Sequence, residues 1–426
     1  MLDTILSLLR RADVAAWEVE DVMSDGWEFY FIRHALDQNR AKHVEHIGVK
    51  VFQLSDDGET MGFASCEIPP TASEAEAGTL IDSLAYRASL VKNRPYTLHK
   101  PKPEAGFHQT PVNLEAAAAA FLRTMRDVPE TPGEDINSYE IFVSSKKRRF
   151  LNSEGIDIEE VYPDSMIEAV VNARTAGREI ELYRNFKSGT CDEAGLRRDL
   201  LRAMQTGRDR LAARPTPALG KADVLFSTAD AREIYSYFAD RLDTSFVYRK
   251  MSDWQIGQSI CDSFQGDRPS LSALRELPNS SANRLYDREG APVRDVLLLE
   301  NGIARNYLGS RMFSSYLGLE DAFIPTNYLV SGGSRGEAEL RRNPLLEVVE
   351  FSDFQVDAVT GDLFGEIRLA YLSDGEKSVP VTGGSVSGSM LELVGNMLLS
   401  SETVQYDNWK IPSVTLLKGV TVTGIT

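Results

Sequence analysis

From Ala222 to the carboxyl end, the chain consists mainly of short β-like runs separated by Gly, Asn, Asp and Pro. Runs of this kind are typical of a β-rich domain. The preceding residues instead mix strand-like stretches with longer helical patterns. We therefore expect an α+β fold: a mixed α/β amino-terminal domain, residues 1–220, followed by a β-rich carboxyl-terminal domain, residues 221–426.

Apolar spacing predicts the individual elements. The predicted helices are the opening segment on the stripe of Leu2, Ile5, Leu6 and Leu9, then Ala72–Lys92, Leu114–Arg126, Asp164–Thr175, Asp192–Ala213 and Asp230–Leu242. The predicted strands are Trp27–Ile32, Gly48–Leu54, Met61–Ser65, Tyr139–Val143, Arg149–Asn152, Val224–Ser227, Val296–Glu300, Leu346–Phe351, Gly365–Leu372 and Ser413–Leu417. The second and third strands should form a hairpin. The proline-rich stretch Asn93–Val112 is predicted to be a linker or an extended surface segment. The basic run Lys146–Arg149 is predicted to be a solvated turn, with an anion-binding patch as the alternative.

Charge and cysteine content limit the classes of partner and compartment. The net charge is −17, which argues against direct binding of nucleic acid because phosphate contacts need concentrated Lys and Arg. The three cysteines are widely spaced, as expected for a reducing compartment. The opening residues lack a signal-peptide pattern, and no apolar run approaches the length of a membrane helix. We expect a cytoplasmic protein with no membrane partner.

Local motifs give weak evidence for a catalytic or metal site. His43 and His46 are three residues apart, but they run into a predicted strand, where such positions point to opposite faces. Ser331–Gly336 is glycine-rich but lacks the Lys-Ser/Thr ending of a phosphate loop. Gly383–Gly388 favours a tight turn, although its small residues could also line a groove. We predict no Gly-x-Ser-x-Gly nucleophile elbow on a strand-to-helix turn, and Gly384–Gly388 fails the pattern because Val386 occupies its central position.

Several short segments stand out by their order and spacing: Gly48–Val51, Met61–Ser65, Leu151–Gly155, Tyr286–Gly290, Leu298–Gly302, Pro325–Asn327, Val359–Asp362 and Gly384–Gly388. Together they resemble the TldD/PmbA family, also called modulators of DNA gyrase. The resemblance implies a pair of subunits. The TldD subunit is a zinc peptidase with a His-Glu-x-x-x-His motif on a helix and a cysteine nearer the carboxyl end. The TldE (PmbA) subunit shares the fold but lacks the motif.

The helix after the strand Val224–Ser227 is where this resemblance places the zinc motif. Here Arg232 and Tyr237 stand in the histidine positions, and Glu233 stands in the position of the general base. Arginine keeps its proton and cannot give zinc a lone pair. The last histidine of the chain is His108, and Tyr406–Trp409 contains no cysteine. We therefore predict no metal and no catalytic residue in this chain. Arg232, Glu233, Tyr237, Gly384 and Ser385 are candidates for a substrate groove.

Three hypotheses follow from this resemblance. The first is a TldE-like, non-catalytic subunit that works with a zinc-bearing TldD-like partner to degrade or mature unfolded or extended peptides. The second is a self-sufficient metallopeptidase with a rebuilt metal site that uses Asp, Glu or an amino-terminal His. The third is a protein-binding regulator of gyrase. A homodimer of the lone chain is an alternative arrangement, because homodimers are the commonest oligomers.

Overall fold

The computed structural model describes residues 1–102, 112–343 and 345–425. The helices in these ranges are α1 (Leu2–Arg11), α2 (Glu74–Ser89), α3 (Leu114–Asp127), α4 (Glu193–Ala212), α5 (Arg232–Arg241), α6 (Thr244–Tyr248), α7 (Arg311–Tyr316), α8 (Glu337–Leu340) and α9 (Met390–Leu393). None of these described helices combines the length and the apolar character needed to cross a bilayer.

The strands fall into an early and a late group. The early strands are β1 (Ala16–Ile32), β2 (Ala35–Leu54), β3 (Met61–Ile68), β4 (Glu134–Asn152), β5 (Asp157–Thr175) and β6 (Arg178–Ser188). The late strands are β7 (Arg214–Pro215), β8 (Gly220–Phe226), β9 (Leu271–Leu274), β10 (Val296–Glu300), β11 (Ile303–Ala304), β12 (Asn327–Val330), β13 (Leu345–Val356), β14 (Asp362–Ser373), β15 (Ser378–Thr382), β16 (Ser385–Ser389), β17 (Leu398–Leu399), β18 (Thr403–Tyr406), β19 (Trp409–Pro412) and β20 (Thr415–Thr423).

The early strands form one antiparallel sheet in the order β3-β2-β1-β4-β5-β6, called here the amino-terminal sheet. Side chains alternate between the two faces of a strand. On one face, Val19, Val49 and Val51 are buried under α1 and α2, and Ile141 and Ile167 are buried under α3 and α4. Helices α1 to α4 therefore cover the same face of this sheet.

The opposite face of the amino-terminal sheet is polar and meets the late part of the chain. It carries Glu18 and Glu20 on β1, Lys50 on β2 and Arg148 on β4. Arg148 donates a hydrogen bond to the backbone oxygen of Asp287 at 2.9 Å. Charged side chains, rather than a continuous apolar core, thus form much of the contact between the two parts.

The late strands form a second sheet and a barrel. The second sheet has the order β11-β10-β9-β12-β19-β18. Strands β13, β8, β20, β16 and β14 pair in sequence, and β14 pairs back with β13, which closes a barrel. Helix α5 lies in the core shared by these two layers, where Tyr235 and Phe238 are fully buried.

The structure confirms the expected α+β class and most of the predicted elements. The helices predicted at Ala72–Lys92, Leu114–Arg126 and Asp192–Ala213 are α2, α3 and α4, and the predicted hairpin is β2–β3. His43 and His46 lie in β2, as expected for a strand. The described part of Asn93–Val112 contains one isolated bridge, Asn93 to Met61, and its residues 103–111, His108 among them, lie outside the described residues.

Two element predictions are wrong. Asp164–Thr175 is not a helix but part of β5, because its neighbours β4 and β6 hydrogen-bond to it on both sides. Lys146–Arg149 is not a turn but lies inside β4, where its charges pair across the sheet with the acidic side chains of β5. The division into domains near residue 220 remains a prediction. The chain passes from the amino-terminal sheet to the barrel between α4 and β8.

Candidate functional site

Helix α5 holds three of the predicted site residues in a largely buried setting. Arg232 is its first residue, and the Arg232 Nε donates a hydrogen bond to Ala229 O at 2.9 Å. Tyr237 is 1% exposed, and its ring meets that of Trp254 edge to face at a centroid distance of 5.8 Å. The Arg241 guanidinium lies 5.6 Å from the Tyr237 ring. The parts of α5 that a ligand could reach are therefore its first turn, where Arg232 and Glu233 are partly exposed, and Asp240 near its end.

The donor atoms on α5 do not suit a zinc ion. Zinc in proteins takes thiolate, imidazole or carboxylate ligands. Arg232 has no lone pair to give, and burial raises the pKa of Tyr237, which keeps its hydroxyl protonated. The side chains of α5 with the right chemistry are the carboxylates of Glu233 and Asp240. Within the described ranges, no three His, Cys, Asp or Glu side chains gather as a set that could hold a metal ion.

Gly384 and Ser385 lie at the start of β16 in the barrel. Gly384 has φ +77°, and a Cβ there would overlap the backbone oxygen of Thr423. Ser385 pairs with Glu366 on one side and with Thr423 on the other. Both residues lie where two backbone strands approach closely. Such an approach is a common reason for a glycine, here Gly384, in a sheet. Their role in a substrate groove remains a prediction, as does that of Arg232, Glu233 and Tyr237.

A cleft of about 630 Å³ opens between the amino-terminal sheet and the late part of the chain. Its floor is the polar face of β1, β2 and β3, and its far wall comes from residues 288–289 and 310–312. Its lining residues are Glu18, Glu20, Gly48, Val49, Lys50, Phe63, Ser65, Cys66, Glu67, Tyr96, Phe150, Arg288, Glu289, Ser310 and Met312. This volume is in the range of small-ligand sites, about 300–1,000 Å³.

Two similar turns border the cleft. In the first, Asn152 Oδ1 accepts the backbone N–H groups of Glu154 and Ile156, both at 3.0 Å. In the second, Asp287 Oδ1 accepts those of Glu289 and Ala291 at 2.8 and 2.9 Å.

Each turn needs a glycine, because Gly155 and Gly290 have φ of +97° and +81°. The turns meet across the interface, since Gly290 faces Phe150 and Ile156. Together they fix the position of Glu289 at the wall of the cleft.

The deepest charge in the cleft is the Glu18 carboxylate. It is 8% exposed and forms an ion pair with Lys50 Nζ at 3.2 Å. Burial raises the pKa of Glu18 to about 7, Lys50 opposes that rise, and the nearby charges of Glu289 and Asp287 add to it. Burial also raises the pKa of Asp287 to about 6, against the effect of three backbone N–H donors. Both carboxyl groups thus titrate near neutral pH.

The cleft was not among the sites predicted from the sequence. Its residues do coincide with segments on which the family resemblance rests. Gly48 and Lys50 come from Gly48–Val51, Phe63 and Ser65 from Met61–Ser65, and Glu289 from Tyr286–Gly290. The signal was therefore present, but nothing in a single sequence shows that these distant segments face one another.

Comparison with known proteins places this architecture in a class of metallopeptidase-like proteins. Residues 219–424 match the family described as PmbA/TldA metallopeptidase C-terminal domain. This match assigns the late part of the chain to that family. A curated relative, the "Metalloprotease PmbA homolog" of Haemophilus influenzae, is 29% identical over 207 residues. That match covers 46% of this chain and 43% of the relative, so it spans less than half of each.

Solved structures share the whole fold. TldE from Thermococcus kodakarensis superposes with a TM-score of 0.77 at 14% identity and covers 100% of both chains. A protein from Thermotoga maritima described as a modulator of a DNA gyrase gives a TM-score of 0.78 at 15% identity, covering 100% of this chain and 99% of that one. A similarly described protein from Bacteroides thetaiotaomicron gives 0.77 at 16% identity, with 100% and 98% covered. At these identities the likeness shows the fold.

Proposed function

We infer that this chain is a TldE-like, non-catalytic subunit that completes the peptide-binding groove of a TldD-type zinc peptidase. The observation that carries the proposal is the chemistry of α5. Arg232 and Tyr237 occupy the positions that the family resemblance gives to zinc ligands, and neither side chain suits the ion. Zinc then belongs to the partner, and this chain needs no cofactor of its own.

The late sheets offer a means of holding extended peptide. Strand β18 ends the second sheet on one side, and a strand at a sheet edge can pair with an added peptide strand. On the other side, residues 257–260 already pair with the backbone of β11. Flexible or unfolded peptides suit this mode because their backbone groups are free to pair. The pair of subunits would in this way degrade or mature peptides that have no stable fold of their own.

The test compares the purified chain alone with the chain mixed with a TldD-type subunit that carries the His-Glu-x-x-x-His motif. We expect the lone chain to hold no stoichiometric zinc by metal analysis and to leave a flexible peptide intact. The mixture should cleave the peptide and co-elute as a complex on size exclusion.

The control for this test is the same mixture with the motif glutamate of the partner replaced by glutamine, which should be inactive. Cleavage by the lone chain that a chelator abolishes would reject the proposal.

A further inference from the structure

We propose that the cleft between the amino-terminal sheet and the late part of the chain binds a positively charged group of a peptide, an amino terminus or a Lys or Arg side chain. Glu18 and Glu289 would receive the charge. That the ligand is a peptide rests on the proposed function, whereas the preference for a cation rests on the cleft itself.

The first argument is charge. The lining contains four carboxylates, Glu18, Glu20, Glu67 and Glu289, and two cations, Lys50 and Arg288. Lys50 is already bound to Glu18.

Outside this lining, Arg148 forms ion pairs with Glu20 and with the fully buried Glu160, so its single charge is shared between two carboxylates. The cleft thus has a surplus of negative charge in a partly buried place, where Coulomb attraction is stronger than in water.

The second argument is the position of Glu289. The Glu289 Oε2 accepts the backbone N–H of Arg311 at 2.6 Å, and Glu289 itself lies in the turn that Asp287 organises. The side chain is thereby preorganised at the wall of the cleft, opposite the floor that carries Glu18. A ligand cation between them would offset the repulsion by Glu289, which adds to the rise in the pKa of Glu18 that burial causes.

The third argument is the apolar lining. Phe63, Phe150 and Met312 border the same space as the carboxylates. The Lys50 Nζ already lies 4.6 Å from the centroid of the Phe63 ring, so this ring accepts a cation against its face. An aliphatic stem that ends in a charge matches these surroundings, because Lys and Arg bury the stem and keep the charged end near polar groups.

Gly48 provides a way to close the cleft without disturbing the fold. It lies in the floor, its φ is not positive, and a Cβ there would meet only Glu20 O at 3.8 Å. A phenylalanine at this position would project into the cleft. The matched control is Gln38→Phe on the same strand, at an exposed position outside the lining.

The experiment measures binding of short flexible Gly/Ser peptides with lysines, glutamines or glutamates at the same positions, by fluorescence anisotropy at low and high salt. We expect the lysine peptide to bind at least about tenfold more tightly than the other two, a difference of about 1.4 kcal/mol. Gly48→Phe and Glu289→Gln should each weaken its binding by a similar factor, and Gln38→Phe should leave it unchanged. Added salt should weaken the wild-type interaction.

Equal binding of the three peptides, tighter binding of the glutamate peptide, or full binding by a folded Gly48→Phe variant would overturn the inference. The same variants in the mixture with a TldD-type subunit separate this failure from that of the proposed function. A mixture that cleaves peptides equally well with Gly48→Phe refutes the role of the cleft and leaves the subunit assignment intact. Cleavage by the lone chain refutes that assignment, and the lysine preference is then measured with chelator present.

Discussion

At the scale of single residues, the molecule keeps carboxyl groups where water is scarce. Glu18 and Asp287 are both almost fully buried, and for both the dominant influence on the pKa is burial. Asp287 receives three backbone N–H groups, whereas Glu18 depends on one lysine. The protonation of Glu18 is therefore the more sensitive to pH, and it affects both the stability of the fold and the charge of the cleft.

Replacing Glu18 with Gln should change how stability depends on pH. The pKa of Glu18 is about 7 in the folded chain and 4.5 as its reference value, so folding favours the protonated form. Its contribution is fully present below pH 4.5 and is lost as pH rises through 7. The unfolding free energy of the wild type should fall relative to that of Glu18→Gln by about 3 kcal/mol across this window. Urea unfolding at several pH values measures the difference.

The control for this prediction is Glu59→Gln, which alters an exposed residue in the turn between β2 and β3. The difference between this variant and the wild type should be flat with pH. A flat difference for Glu18→Gln as well would show that Glu18 is not the group that titrates in this window.

At the scale of secondary-structure elements, packing against neighbours decides what local sequence leaves open. In Asp164–Thr175, the apolar residues are spaced closely enough to suggest a helix. In the structure, Ile167, Ala169, Val171 and Ala173 are at most 1% exposed. The residues between them are more exposed, except for Asn172, which is also 1% exposed. The two-residue period was present but was masked by good helix formers such as Met166 and Glu168. Pairing with β4 and β6 then fixes the strand.

The basic run Lys146–Arg149 was misjudged for a related reason. Such a run predicts exposure when it is considered alone. Its partners are the acidic residues of the neighbouring strand: Lys146 pairs with Asp164, Lys147 with Glu159 and Arg149 with Asp157. Cross-strand pairs of opposite charge stabilise a sheet. Only the register between β4 and β5 reveals this match, and a register cannot be read from one segment.

Two glycines of the β2–β3 hairpin should differ in how well they tolerate alanine. A Cβ on Gly62 would overlap the backbone oxygens of Ala88 and Val91 at the end of α2, whereas a Cβ on Gly48 meets only Glu20 O at 3.8 Å. Gly62→Ala should therefore lower the unfolding free energy by about 3 kcal/mol, because backbone atoms cannot move aside cheaply. Gly48→Ala, the matched control, should stay within about 0.5 kcal/mol of the wild type.

Chemical unfolding of both variants under the same conditions provides the comparison. Similar stabilities for the two would mean that α2 does not approach β3 as closely as described.

The sequence identified both glycines as parts of the resemblance, yet it could not tell the glycine that packs against α2, Gly62, from the one in the floor of the cleft, Gly48. Both have ordinary strand neighbours, and the difference lies in what faces them across the fold.

At the scale of the whole molecule, the class of fold was predictable and the site was not. The order of helices and strands follows from local patterns, so the α+β class and the β-rich late part were expected correctly. The cleft instead joins Glu18 and Lys50 to Glu289, which are far apart in the chain. No periodicity or motif shows that β1 and β2 present their polar face to that turn. Long-range juxtaposition, rather than residue type, defines this candidate site.

The same juxtaposition should make the two parts unfold together, with Arg148 as a main connection. Its side chain is 4% exposed and donates to Glu20 at 2.5 Å, to Glu160 at 2.9 Å and to Asp287 O at 2.9 Å. Glu160 is fully buried and also accepts the N–H of Leu285. Arg148→Ala would leave Glu160 buried without its cation, and we expect a loss of about 3–5 kcal/mol.

The adjacent Arg149 supplies the matched control, because its ion pair with Asp157 is exposed and Arg149→Ala should cost less than about 1 kcal/mol. The fluorescence of Trp17 and Trp27 reports on the amino-terminal sheet, and that of Trp254 and Trp409 on the late part. Variants that keep one of these pairs and replace the other allow each part to be followed separately. The two pairs should report one shared urea transition in the wild type and in Arg149→Ala, and two separate transitions in Arg148→Ala. Coincident transitions in Arg148→Ala would mean that the remaining contacts, such as Arg311 with Thr97, suffice to couple the parts.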